Sequence, residues 1–207
     1  MNMNYTKNIQ KIPKEVKDII KEFTIFKPKT KDELKKAVNL WSENRDEALK
    51  KYTHISNWDT SLIEDMSYLF LFHKEFNEDI SNWNVSNVKN MEDMFHFCHS
   101  FNQSLNNWDV SKVENMKYMF CKCSKFNQPL NDWNVYNVKY TSHMFEYCTE
   151  FNQPLYNWKV FNVENMTSMF CNCTNFNQSL NVWNVSKVKC MILMFSDCKN
   201  FNQPLNK

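Results

Sequence analysis

Met119-Phe120-Cys121-Lys122-Cys123-Ser124-Lys125-Phe126-Asn127-Gln128-Pro129-Leu130-Asn131-Asp132-Trp133 is the stretch from which the fold is read. Its landmarks return along the chain every 25 residues. Trp58, Trp83, Trp108, Trp133, Trp158 and Trp183 mark the period without one insertion or deletion. A fixed period of this length belongs to repeat units that cannot bury their own apolar face and stack on their neighbours. Like residues then lie over like, at about the inter-strand spacing of 4.7–4.9 Å. The expected structural ladders are the six tryptophans and the in-register cysteines Cys98, Cys123, Cys148, Cys173 and Cys198.

Within one coil two periods mix. Val88, Met91, Met94, Phe95 and Cys98 recur at spacings that predict one face of a short helix. Ser61-x-x-Glu64 and Ser111-x-x-Glu114 fit a capping box at its start. The stretch Leu-x-x-Trp-x-Val predicts two or three residues of strand. The expected fold class is thus an α/β repeat, a leucine-rich-repeat-like solenoid of six 25-residue coils, each a short strand plus a short helix. It spans residues 57–207, with a helical N-terminal cap at 1–56.

The cap is read from three helical patterns. Pro13 opens a face of Val16, Ile19, Ile20 and Phe23; Thr30-x-x-Glu33 starts a second helix with Leu34, Ala37, Val38 and Trp41 inward; Asp46 to Tyr52 forms a third. Glycine is absent from the chain, so turns that need a positive φ are expected to use Asn or Asp.

The skeleton Met-Phe-x-x-Cys-x-x-Phe-Asn-Gln-x-Leu-x-x-Trp-x-Val resembles the 25-residue repeat of the BspA-like leucine-rich-repeat proteins, the lipoprotein-associated group with relatives in bacteria, protists and giant DNA viruses. The resemblance covers Asn57 to Lys207 and extends into the leader through Thr30-Lys31-Asp32-Glu33-Leu34-Lys35-Lys36-Ala37-Val38-x-x-Trp41. It implies a scaffold without an assigned activity, and adhesion or host binding in surface members. The start Met1-Asn2-Met3-Asn4-Tyr5-Thr6-Lys7 carries no secretory pattern. An intracellular location is therefore expected over the cell surface.

Composition narrows the partners. A formal charge of +2 with interspersed acids and lysines argues against a specific nucleic-acid reader, and no apolar run is long enough to span a bilayer. No phosphate loop exists without glycine, and no cofactor is implied. Cys121-Lys122-Cys123 and Cys171-Asn172-Cys173 are too far apart by coil spacing to share a zinc ion, so no metal is expected. His73, His96, His99 and His143 read as surface residues beside helix faces.

Tyr136 and Phe161 replace a serine of the other units, Tyr140 an asparagine, and Tyr156 an asparagine or serine. These four are the candidate partner-binding residues, since exposed aromatic clusters favour protein contacts. The function expected is a non-enzymatic protein-interaction scaffold with a protein partner. A structural or self-assembling repeat, with self-association through the C-terminal coil, and an adhesin-like surface protein are the alternatives.

Overall fold

The structure, a computed structural model, describes residues 25–205. The helix expected around Val16 to Phe23 lies outside them. Helix α1 (Lys31–Glu43) begins where the Thr30 hydroxyl accepts the Glu33 N–H at 3.2 Å, satisfying a first-turn donor that has no helical partner. Its inward face is Leu34, Ala37, Val38 and Trp41, all buried. Helix α2 (Arg45–Tyr52) starts in the same way, with the Asn44 side-chain oxygen accepting the Glu47 N–H at 3.2 Å. A single 3-10 turn, Ile55–Asn57, then delivers the chain to Trp58.

Beyond it, among the described residues, the repeat contains no helix and no strand. The expected strand-plus-helix coil is overturned, and with it the leucine-rich-repeat-like α/β solenoid. Each 25-residue unit is a chain of turns, stacked in parallel on the next through isolated bridges that run Asp65, Asn90, Asn115, Tyr140, Asn165, Cys190.

The reason lies in where the amides go. In the third unit (residues 108–132) the N–H groups of Met116, Tyr118, Phe120 and Lys122 donate forward to Tyr140, Ser142, Met144 and Glu146 of the fourth, at 2.7–3.0 Å. The amides of Met119, Cys121 and Cys123 donate to carbonyls three residues back, at 2.9–3.3 Å. Alternate amides therefore serve the neighbour and their own turn, and the i to i−4 ladder of an α-helix has no donors left. The same pattern recurs in the first, second, fourth and fifth units, from Met66, Tyr68, Phe70 and Phe72 onward.

Two residues per unit take up the left-handed region to make these turns: Tyr68 and Phe72, Asp93 and Phe97, Tyr118 and Lys122, His143 and Tyr147, Ser168 and Asn172, Leu193 and Asp197. Turns of this kind normally place glycine or asparagine there. Only Asp93, Asn172 and Asp197 among them are Asn or Asp; the others are held in a conformation costing each roughly 1–2 kcal/mol, so the expectation that Asn and Asp would carry every positive φ fails. The capping boxes fail too, because the Ser61 and Ser111 amides bond the carboxylates of Asp59 and Asp109 at 3.0 Å.

Side-chain rows carry the packing. Phe70, Phe95, Phe120, Phe145, Phe170 and Phe195 stack at 5.3–5.8 Å between centroids, and a second row from Phe76 to Phe201 stacks at 5.8–6.0 Å. Parallel rings prefer an offset arrangement, which sets the centroids farther apart than the 4.7–4.9 Å expected for the layers. Burial of each ring contributes roughly 1.5–3 kcal/mol as an upper estimate.

Polar rows hold the same register. Each indole N–H from Trp83 onward donates to a carbonyl of the preceding turn: Ile55, Ile80, Leu105, Leu130 and Leu155, at 2.8–3.2 Å. The Cys98, Cys123, Cys148, Cys173 and Cys198 thiols donate to Phe70, Phe95, Phe120, Phe145 and Phe170 carbonyls, at 2.8–3.1 Å. In the Phe-Asn-Gln motif the Asn102, Asn127, Asn152 and Asn177 side chains each accept the amide of the next asparagine in the row, at 2.9–3.0 Å.

The ends are unlike. The first unit exposes carbonyls to α1, and the Lys35 ammonium donates to Tyr68 and Leu69 oxygens at 2.7 Å. The sixth unit exposes amides: those of Met191, Leu193, Phe195 and Asp197 have no backbone acceptor among the described residues.

Candidate interaction face

The inward positions largely repeat from unit to unit, whereas the outward rows vary, among them those of one aromatic-rich face. It is made by the segment whose amides join the units. Its rows read Ser67, Glu92, Lys117, Ser142, Thr167, Ile192; Tyr68, Asp93, Tyr118, His143, Ser168, Leu193; Leu71, His96, Cys121, Glu146, Cys171, Ser196; and Phe72, Phe97, Lys122, Tyr147, Asn172, Asp197. In these rows no residue type occurs more than twice. The Phe rows beneath them keep one residue throughout.

On the first four units this face is a continuous ring system. Phe72 packs on Phe97 at 4.8 Å, Phe97 on His96 at 4.4 Å, His96 on Tyr118 at 5.6 Å, and Tyr118 on His143 at 4.4 Å and 4°. The Lys122 ammonium lies 4.4 Å from the Phe97 ring and 5.5 Å from that of Tyr147. Lys31 of α1 lies over Tyr68 at 5.6 Å. Phe72, at 58 % exposure, Tyr68 and Tyr147 are open to solvent, while His96, Tyr118 and His143 are half-buried between them.

The histidines are fixed by carboxylates. His96 Nδ1 lies 2.6 Å from Asp93 Oδ1, and His143 Nδ1 lies 2.8 Å from Glu146 Oε2. Each imidazole is thereby oriented with Nε2 turned away from its carboxylate. Cys121 sits between the two pairs, its Sγ 3.8 Å from Glu146 Oε2. Burial, reinforced by the Glu146 charge, pushes this thiol up, so it stays protonated, and the carboxylate rather than an imidazole stands next to it. That order cannot relay a proton to make a thiolate nucleophile. Burial also raises the Tyr118 phenol, with Glu146 the next contributor.

The four residues singled out from the sequence are not one cluster. Tyr136 and Phe161 share a row on adjacent units and are exposed at 50 % and 37 %. Lys187 lies 4.1 Å over the Phe161 ring. Tyr140 sits in the bridge row, half-buried, with Lys117 at 4.7 Å over its ring. Tyr156, 55 % exposed, belongs to a third row.

The ladder residues are interior. The tryptophans are buried as far as Trp158 and the cysteines as far as Cys173, with Trp183 and Cys198 half-exposed on the sixth unit. What sequence reasoning missed is the histidine–tyrosine stack. Aligning the units at the Phe row shows these rows changing residue type, but not that the turn between two of them brings the rings together.

A shallow cleft of about 420 Å³ lies beside Ile25, Thr53, Trp58, Asp59 and Asn84, and Asp59 is its one carboxylate. Lys27 at 2.7 Å holds that carboxyl down to about 2. Among the described residues no three His, Cys, Asp or Glu side chains converge to hold an ion. No helix there is long and apolar enough to cross a membrane.

A family model described as "Mycoplasma protein of unknown function, DUF285" matches residues 35–158 and 132–207. No curated protein and no solved structure matches the chain.

Proposed function

The chain belongs to the family of Mycoplasma proteins of unknown function DUF285, and on that footing we propose that it is a non-enzymatic scaffold that binds a protein partner. The observation that carries the reading is the contrast between inward rows that keep nearly the same residue and a changing outward face on the same units. Packing constrains the former and leaves the latter free to be set by a ligand. That face is extended, aromatic-rich and exposed at Tyr68, Phe72 and Tyr147, the composition found where proteins meet. The chemistry on it supports binding over catalysis, since its two thiols, Cys121 and Cys171, are buried and pushed up by that burial.

The kinship with BspA-like repeats, without their leucine-rich-repeat fold, and a location inside the producing cell belong to the same proposal. The experiment is affinity capture from the native cell with the full chain and with a Phe72→Ser/Tyr147→Ser variant. Both side chains point outward, so the variant is expected to melt within a few degrees of the parent while losing the captured partner. An unchanged set of captured proteins would refute this face as the binding surface.

A further inference from the structure

A different edge of the stack, one turn before the changing face, carries a pattern of its own. At the residue that follows each turn the six units read Glu64, Lys89, Glu114, Lys139, Glu164, Lys189, alternating without exception. Backbone bonds of 2.8 Å join every neighbouring pair in this row, so the charges form one continuous row.

Each lysine reaches back to the glutamate before it: Lys89 to Glu64 at 2.8 Å, Lys139 to Glu114 at 2.6 Å, and Lys189 to Glu164 at 2.6 Å. None reaches forward. All six side chains keep a third or more of their surface open to solvent. The row is paired within the chain but is not used up by that pairing.

A two-fold axis passing between the third and fourth units maps the first unit on the sixth, the second on the fifth and the third on the fourth. Under that operation Glu64 meets Lys189, Lys89 meets Glu164, and Glu114 meets Lys139, opposite charges at every position. The neighbouring row, Ser61, Ser86, Ser111, Tyr136, Phe161, Ser186, becomes complementary in size under the same axis. Tyr136 meets Ser111, Phe161 meets Ser86, and Ser61 meets Ser186.

The row beside that meets itself without like charges, as Leu62 with Lys187, Asn87 with Asn162, and Lys112 with Asn137. Asp59, Asn84 and Asp109 likewise meet Asn184, Lys159 and Asn134. Self-complementarity of this kind is what an isologous interface requires. A meeting of two sixth-unit ends would instead set the amides of Met191, Leu193, Phe195 and Asp197, which have no backbone acceptor among the described residues, against the same donors.

We propose that this edge is the interface between two antiparallel copies of the chain, with Glu114 and Lys139 flanking the axis and Tyr136 and Phe161 seated against Ser111 and Ser86 of the second copy. It is independent of the partner face described above.

Sedimentation velocity on the full chain tests it, at about 0.01 M salt, where charges act over about 30 Å, and at about 1 M, where they act over about 3 Å. The chain is expected to dimerise at low salt and to weaken roughly tenfold or more at high salt. An all-lysine row (Glu64→Lys/Glu114→Lys/Glu164→Lys) and an all-glutamate row (Lys89→Glu/Lys139→Glu/Lys189→Glu) are each expected to be monomeric, and their mixture to form a one-to-one heterodimer.

A wild-type chain that stays monomeric at low salt, or charge-row variants that self-associate like the parent, would overturn the proposal. Should those variants fail to fold, Ser111→Trp serves, since the same slot already holds Tyr136 one unit on. It is expected to melt like the parent and to lose the dimer. A dimer of unchanged affinity in Ser111→Trp would overturn the proposed seating of the aromatics.

Discussion

His73 makes the first unit sensitive to acid in a way the other units are not. It occupies the row that holds cysteine in the five units after it, packed edge-on to Phe70 at 6.1 Å, with Ser42 Oγ at 3.4 Å from Nδ1. Burial, and secondarily the Lys35 ammonium, lowers its pKa from 6.5 to about 4. Between those values the unfolded chain binds a proton that the folded chain does not, so stability falls as pH falls through that window and is fully present above about 6.5. At about 1.4 kcal/mol per pH unit the loss would be about 3 kcal/mol for a fully shielded ring. His73 is only half-buried, and solvent screening reduces this to about 1 kcal/mol. Urea unfolding at intervals from pH 7 to pH 4.5, on the parent and on His73→Cys, is the assay. The variant, which restores the residue of the later units, is expected to lose less stability across the range by about that amount. Parallel pH profiles would refute the reasoning.

Other perturbations follow from the rows. Asn127→Leu removes the acceptor of the Asn152 amide and of Gln153 Nε2, at 3.0 and 3.1 Å. It is expected to cost about 1–3 kcal/mol by calorimetry, whereas Asn127→Asp keeps an acceptor and costs less. Cys148→Ala deletes a fully buried thiol and its bond to the Phe120 carbonyl at 2.9 Å, an expected loss of about 1–3 kcal/mol in chemical denaturation. Trp133→Phe leaves the Leu105 carbonyl without the indole donor at 3.0 Å, while Trp41 Nε1 has no partner to lose. Trp133→Phe is therefore expected to be the more destabilising of the two Trp→Phe changes, by about 1 kcal/mol. Ser168→Gly relieves a left-handed residue, φ 52°, whose small side chain makes no hydrogen bond that would be lost. A gain of about 1 kcal/mol in unfolding free energy is expected, and a loss would contradict the turn assignment.

The parts legible in the sequence are those fixed by period alone. Residues 25 apart share a row, so the Trp, Phe and Cys rows follow from counting. Helix α1 was legible because Thr30 and Glu33 lie in one local motif and the inward residues are helically spaced. The repeat itself misleads by the same logic. Val88, Met91, Met94, Phe95 and Cys98 point inward from consecutive turns as they would from a helix, and nothing local says that the amides of alternate residues bond the next unit. Ser61-x-x-Glu64 looks like a cap, yet the partner of Glu64 is Lys89, a full period away. Tyr136, Tyr140, Tyr156 and Phe161 stood out as departures from consensus, but only Tyr136 and Phe161 share a row, and the turns send Tyr140 and Tyr156 to two others. The His96, Tyr118 and His143 stack was hidden because its members occupy two rows, and only the turn between those rows brings the rings together.

Amide hydrogen exchange tests the central claim, that the units are held by bonds between them, by comparing identical positions in the third and sixth units. Slow exchange is expected at Met116, Tyr118, Phe120 and Lys122, whose amides donate to the next unit, and fast exchange at Met191, Leu193, Phe195 and Asp197, which have no backbone acceptor among the described residues. Equal protection at the two sets, as helices closed within each unit would give, would contradict it.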